Sequence, residues 1–160
     1  MLPSEASLVF MELTLGSAVQ RRMYIRLDKT LPNTRGYMVE LFTGQRGPTF
    51  RGIKFDACNS YKMYTGSTLP FSKATFTFDK SGGSIAKHGD VIGWLRSGYL
   101  QHIFFYVSDP SSTLDFGKEY TSECIVFGHV DEGSLDVLKA CHDNHSRGVT
   151  ISDCGLVLEC

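Results

Sequence analysis

The sequence of 160 residues lacks most of the short motifs that identify a chemical activity directly. It contains no CxxC pair, no HExxH, no GxSxG and no glycine loop ending in GK[ST], so nothing supports a zinc ribbon, a metalloprotease, a serine hydrolase of the elbow class or a phosphate-loop enzyme. No apolar run approaches the roughly 20 residues that a spanning helix needs. The formal net charge of −1 argues against partners such as nucleic acid or anionic membranes.

The cysteines are odd in number and scattered, which is typical of reduced thiols. They are Cys58, Cys124, Cys141, Cys154 and Cys160. Because residues 1–7 also lack the basic-then-apolar order of a secretory signal, we expect a cytoplasmic or nuclear protein that is not secreted. The run from Cys141 to His145 could be half of a zinc site, but no second ligand pair stands out, so we favour a helix end followed by a polar turn. No metal or cofactor is predicted.

The length suits one domain with one core, which we place at residues 8–160 after a flexible segment at residues 1–7. Short apolar runs bounded by turn residues predict about eight strands. The clearest strands are Val9–Leu15, Met23–Leu27, Val91–Leu95, Ile103–Val107 and Ile125–Val130.

Two helices interrupt the strands. Asn33 to Phe42 carries an apolar stripe, with Pro32 suited to the first turn and Gly44 suited to end the helix. Ser134 is placed to cap a second, shorter helix that ends near Cys141. Together these elements predict a mostly β protein with a closed antiparallel barrel and two helices.

Several short segments stand in a characteristic order along the chain. They are L-P-N-T at 31–34 with L-F-T-G-Q-R-G at 41–47, F-R-G-I-K-F at 50–55, L-D-F-G-K at 114–118, I-V-F-G-H-V at 125–130, D-E-G at 131–133 and I-S-D-C-G at 151–155. In this order they resemble the cyclophilin family of peptidyl-prolyl isomerases. The resemblance runs from about Leu8 to Gly155 and implies a closed eight-stranded antiparallel barrel capped by two α-helices.

The resemblance also implies where the catalytic groups of an isomerase should stand. Rotation about an X-Pro bond has a barrier of roughly 18–20 kcal/mol and needs no covalent step. A catalyst can therefore hold the proline ring in an apolar pocket and hydrogen-bond the twisted amide better than the planar one. In this family an Arg after Phe-His supplies the main donor and a Gln assists. Apolar residues and a His line the pocket, a Trp lies at its rim, and an Asn binds the peptide backbone.

Most of these polar positions hold other residues in this chain. Ala57 stands where the resemblance places the catalytic Arg, and Lys62 replaces the first pocket Phe. A buried ammonium is costly without a partner, so we expect Lys62 to point into water. The other degenerate positions are Thr65 and Ile103 in place of Gln, Thr113 in place of the rim Trp, and Cys124 in place of the pocket His.

Five residues remain as candidates to line a peptide groove. Arg96 and, less so, His102 are the residues that could supply a rearranged donor, although each has a simpler interpretation as a surface or loop residue. The apolar candidates that match the family are Met63, Phe105 and Leu114. Their alternative interpretation is as barrel-end core residues kept for packing. The groove candidates are Met63, Leu95, Arg96, Phe105 and Leu114.

Loss of one preorganised donor typically lowers an enzymatic rate by about 10²–10³. The sequence therefore predicts a pseudoenzyme, a non-catalytic cyclophilin-like domain that binds a protein or peptide segment, including proline-containing ones. The alternatives are an active isomerase with a rearranged donor and a domain kept only for structure. Binding of cyclosporin should be weak or absent. Because cyclophilin domains also occur within larger proteins, among them a giant nucleoporin, the nuclear pore is one location this implies.

Overall fold

The computed structural model describes most of the predicted domain. Of the predicted flexible segment, only Ser7 lies within the described residues. Ser7 is buried, and its carbonyl oxygen accepts a hydrogen bond from the Leu27 N–H at 2.7 Å, so it already belongs to the folded part. The described residues are 7–16, 19–65, 68–70, 78–79, 85–116, 123–144 and 148–158.

Strands dominate the described residues, as predicted. Helix α1 spans Pro32–Thr43, a 3-10 turn spans Glu132–Ser134, and helix α2 spans Leu135–Asp143. The strands are β1 Leu8–Leu15, β2 Val19–Leu27, β3 Lys54–Phe55, β4 Ala57–Cys58, β5 Lys62–Tyr64, β6 Ile85–Lys87, β7 Asp90–Arg96, β8 Tyr99–Tyr106, β9 Thr113–Asp115, β10 Glu123–Val130 and β11 Val149–Leu156.

Nine of these strands form one antiparallel sheet that curls into a nearly closed barrel. Their order is β3-β11-β1-β2-β10-β7-β8-β5-β4. The two strands at the ends of this order, β3 and β4, are separated in sequence only by Asp56, so the chain itself joins the two edges of the sheet. Counted as one strand broken at Asp56, β3 and β4 give the eight strands that were predicted. The predicted closed antiparallel barrel is therefore confirmed.

A second sheet, formed by the two strands β6 and β9, lies beside the barrel. Its side chains contribute to a second apolar cluster that is separate from the main core. Because side chains alternate along a strand, Phe105 belongs to the main core while its neighbours Phe104 and Tyr106 belong to the second cluster. Ala86 of β6 and Leu114 of β9 also pack in this second cluster. The small sheet therefore covers part of the outer face of the barrel.

The limits of helix α1 agree with the prediction. Pro32 occupies its first turn, and Gly44 adopts φ 69° after its end, with its N–H bonded to the Glu40 carbonyl at 2.8 Å. The first turn of α1 is capped by a residue far away in sequence, because the Asp79 carboxylate accepts the Thr34 N–H at 2.9 Å. An anion is also favoured there by the helix dipole.

Helix α2 starts as predicted but is not capped as predicted. The Ser134 side chain makes no capping hydrogen bond. Its hydroxyl oxygen instead accepts the N–H of Tyr24 at 3.0 Å, which ties the start of α2 to strand β2. The prediction that Ser134 caps the helix is therefore wrong, because a tertiary partner takes the hydroxyl. No helix among the described residues has the length and apolar character needed to cross a membrane.

Candidate functional site

The position that the resemblance gives to the catalytic Arg lies on the outer face of the barrel. Here β4, β5, β8, β7 and β10 run side by side. Cross-strand pairs place Ala57, Tyr64, Phe104, Ile92 and Val126 in one row across these strands. Directly opposed side chains in such a row share a face of the sheet. Ala57 therefore faces the same side as an aromatic cluster and brings no hydrogen-bond donor to it.

Lys62 lies on this same face and in contact with that cluster. Its ammonium nitrogen is 5.2 Å from the ring centre of Tyr64, 5.5 Å from that of Phe104 and 5.6 Å from that of Tyr61. The side chain is half-buried. Each cation–π contact of this kind stabilises by about 0.5–2 kcal/mol, depending on desolvation. We expected Lys62 to point into water, and the structure instead places its ammonium against aromatic rings.

The matched pocket residues Met63 and Phe105 face the interior of the barrel. They are paired across β5 and β8, and neither side chain has any exposed surface. The Phe105 ring lies 5.3 Å from that of Phe55, centre to centre. The space between Met63 and Phe105 is thus filled rather than open, and core packing describes their positions. Leu114, the third matched residue, lies half-buried in the outer cluster instead, so the structure divides the three between two faces.

The residues at the two Gln positions bond to each other. The Thr65 hydroxyl accepts the Ile103 N–H at 3.3 Å, and both side chains are buried. His102 Nδ1 lies 2.7 Å from the Thr65 carbonyl oxygen, so this nitrogen carries a proton and donates it there. The His102 ring also packs 5.4 Å from the Trp94 ring. The Nδ1–H of His102 is therefore already used within the fold.

The remaining candidates on β7 and β9 are scattered. Leu95 is buried and packs in the main core, whereas Arg96 is exposed at the tip of the β7–β8 hairpin. Arg96 lies four positions along β7 from Ile92, a distance of about 13 Å at roughly 3.3 Å per residue. This separates it from the row that contains Ala57. Thr113 is exposed on β9, where it pairs with Lys87 of β6.

Cys124 pairs with Trp94 on the outer face and packs against the second cluster. Burial raises the pKa of its thiol to about 11, against a smaller opposing effect of the Lys62 charge. The thiol is therefore neutral at pH 7. A neutral thiol is a weak hydrogen-bond donor and a weak nucleophile, so Cys124 does not reproduce the chemistry of an imidazole.

Sequence reasoning missed the tyrosines of this face. The residues predicted to line the groove did not include Tyr61, Tyr64 or Tyr106. The signal that could have found one of them is the alternation on β5, where Tyr64, like Lys62, must face away from Met63.

The zinc alternative at the end of helix α2 gains no support. His142 Nε2 lies 2.8 Å from the Asn59 carbonyl oxygen, so it donates to the backbone, while His145 lies outside the described residues. Over the part of the chain that the structure describes, no three His, Cys, Asp or Glu side chains come together as a metal site would require.

Comparisons with known proteins identify the fold. No family model matches this chain, and no curated protein matches its sequence. The structure matches the crystal structure of the Mimivirus cyclophilin with a TM-score of 0.68 and 19% sequence identity, over 97% of this chain and 91% of that chain. At this identity the match concerns the fold alone. The chain therefore has a cyclophilin-like fold, as its sequence motifs implied.

Proposed function

We propose that this chain is a non-catalytic cyclophilin-like domain that binds a protein or peptide segment. The observation that carries the proposal is the outer face at Ala57. Where the resemblance places a guanidinium, the chain has a methyl group opposite Tyr64, and Lys62 holds its ammonium against the same ring. This face offers aromatic surface in place of the donor that an isomerase needs.

The energetics of isomerisation support the loss of activity. The reaction is accelerated only by groups that bind the twisted amide better than the planar one. Alanine has no such group, and one missing donor costs about 10²–10³ in rate. The residues at the two Gln positions do not compensate, because Thr65 and Ile103 are buried and bonded to each other. Cyclosporin should accordingly bind weakly or not at all.

The composition of the outer face supports a binding role. Tyr61, Tyr64 and Trp94 are each half-buried there, with Leu114 nearby in the second cluster. Half-exposed aromatic faces are the surfaces on which proline-containing, extended segments dock, since such segments lose little entropy on binding. We therefore propose a protein or peptide partner, with proline-containing segments as the first to test. The proposed location is the cytoplasm or the nucleus, including the nuclear pore.

The proposal is tested with a peptide library that contains X-Pro segments. Trp94 is the only tryptophan of the chain and lies on the candidate face, so its fluorescence reports binding directly. We expect Tyr64→Ala to weaken binding at least fivefold, and Val19→Ala, an exposed site on β2, to leave it unchanged. Absence of binding to any segment would favour a purely structural domain.

Catalysis is tested separately by NMR exchange spectroscopy on an X-Pro peptide. We expect no exchange broadening with substoichiometric protein. Broadening that disappears in Arg96→Ala would instead establish the alternative, an isomerase with a rearranged donor. The double variant Ala57→Arg with Lys62→Phe restores the two family residues, and a gain of activity there would show that the rest of the site is usable.

A further inference from the structure

A group of polar side chains lies at the turn between β6 and β7, away from the candidate groove. His88 is half-buried in this turn, and its Nδ1 accepts the N–H of Ser108 at 3.0 Å. An imidazole nitrogen that accepts a hydrogen bond carries no proton, so this contact requires neutral His88 with its proton on Nε2. Protonation of His88 would remove the acceptor and leave the Ser108 N–H without it.

This hydrogen bond joins the two segments that lead into the small sheet. His88 directly follows β6, and Ser108 lies in the connection from β8 to β9. In the two strands Ala86 pairs with Leu114, and both belong with Phe104 to the second cluster. The contact between His88 and Ser108 therefore clamps the turn after β6 to the connection that leads to β9, beside the hydrogen bond from the Gly89 N–H to the Tyr106 carbonyl oxygen at 2.8 Å.

The neighbouring histidine behaves differently on protonation. His129 Nδ1 lies 2.9 Å from one oxygen of the buried Asp90 carboxylate, whose other oxygen accepts the Lys87 N–H at 2.8 Å. The carboxylate oxygen accepts a proton from Nδ1 whether or not His129 is charged. The link between β7 and β10 therefore does not depend on the charge of His129.

The surroundings of His88 also favour its neutral form. Burial first, and then the charge of His129, lower the pKa of His88 below its ordinary value of 6.5, while Asp109 opposes them. A lowered pKa in the folded state means that the clamp stabilises at neutral pH and is lost as the pH falls through that pKa. Among the described residues, the titratable or charged groups around the pair also include Lys87, Asp90, Arg26, Asp28 and Asp131.

We propose that His88 is a pH-sensitive clamp whose protonation releases the β6–β9 sheet from the outer face while the barrel stays folded. The mechanism combines the loss of the hydrogen bond between His88 and Ser108 with the repulsion between two imidazolium groups. Its consequence is that mild acid uncovers Phe104, Tyr106 and the aromatic surface around them. This proposal does not depend on whether that surface binds peptides.

Amide hydrogen exchange from about pH 7.5 to about pH 5 tests the clamp across the range in which histidines titrate. After correction for intrinsic exchange rates, the Ala86 and Leu114 amides should lose at least tenfold of their protection, while Met11 and Met23 in the barrel keep theirs. His88→Asn supplies a neutral acceptor at a similar position and should abolish the pH dependence. His129→Gln removes the repulsion and should move the transition to higher pH.

Three results would overturn the proposal. One is unchanged protection of Ala86 and Leu114 over this range. Another is simultaneous loss of protection in the barrel, which would mean global unfolding. The third is a transition in His88→Asn at the same pH as in the unmodified chain, which would assign the effect to another group.

Discussion

Truncation of the Phe105 side chain tests whether it packs in the core or lines an open groove. Phe105 is fully buried between Phe55 and its cross-strand neighbour Met63. Removal of a buried phenylalanine ring costs about 3–5 kcal/mol through lost transfer free energy and a residual cavity. About 0.5–1.5 kcal/mol of this belongs to the ring pair with Phe55. We therefore expect Phe105→Ala to remove a large share of the 5–15 kcal/mol of stability typical of a single domain.

Equilibrium unfolding in guanidinium chloride, followed by the fluorescence of Trp94, measures this loss. The slope of the free energy of unfolding against denaturant should stay constant while the midpoint falls. Phe105→Leu keeps an apolar side chain in the cavity and should cost less, so it remains informative if the alanine variant does not fold. Leu114→Ala is the matched outer-face control, with an expected cost of about 1–2 kcal/mol because that side chain is only half-buried.

The two roles predict opposite patterns of binding and stability. If Phe105 packs only in the core, Phe105→Leu lowers stability and leaves the affinity for a bound peptide within about twofold. If Phe105 lines an open groove, the alanine variant loses less than about 1 kcal/mol of stability, since an exposed ring has little burial to lose. A small stability loss joined to a large loss of affinity would refute the reasoning from burial.

Three further predictions concern sites other than Phe105 and Leu114. Asp79→Ala should lower the free energy of unfolding by about 1 kcal/mol, measured with denaturant, because it removes the cap on the first turn of α1. Gly128→Ala should cost about 1–3 kcal/mol in the same assay, since its new methyl group would lie 2.9 Å from a backbone carbonyl oxygen of β2. The control Gly36→Ala has open space in α1 and should stabilise by about 0.5–1 kcal/mol. Burial raises the pKa of Cys141 to about 12, so mass spectrometry should find it unlabelled by iodoacetamide at pH 7 until the protein is unfolded.

The parts of the fold that were predictable from sequence depend on local chemistry. Pro32 and Gly44 define the ends of α1 because each suits a backbone conformation that a helix end requires. The roles of Ser134 and Asp79 were not predictable, because their partners lie far away in sequence. A side chain that can cap its own helix can equally bond another element, and only the packing decides between the two.

The candidate site was harder to predict than the fold, because it depends on which face of each strand is exposed. A change of one residue in register moves every side chain to the other face. Ile103 to Tyr106 is apolar throughout, so its pattern has no period that separates inward from outward residues. The family motifs align residues by order alone, and that order placed Phe105 in the groove although Phe104 occupies the outer face.

The two main departures from the family pattern, at Ala57 and Lys62, become one feature when the shared face is considered. Ala57 pairs with Tyr64, and the Lys62 ammonium lies 5.2 Å from that same ring. An arginine at position 57 would bring a second positive charge to this ring. Like charges on one half-buried face repel each other, so Lys62 and an arginine at position 57 would disfavour each other. The two departures are therefore better described as one coupled change, a cation held by aromatic rings opposite Ala57, than as two independent ones.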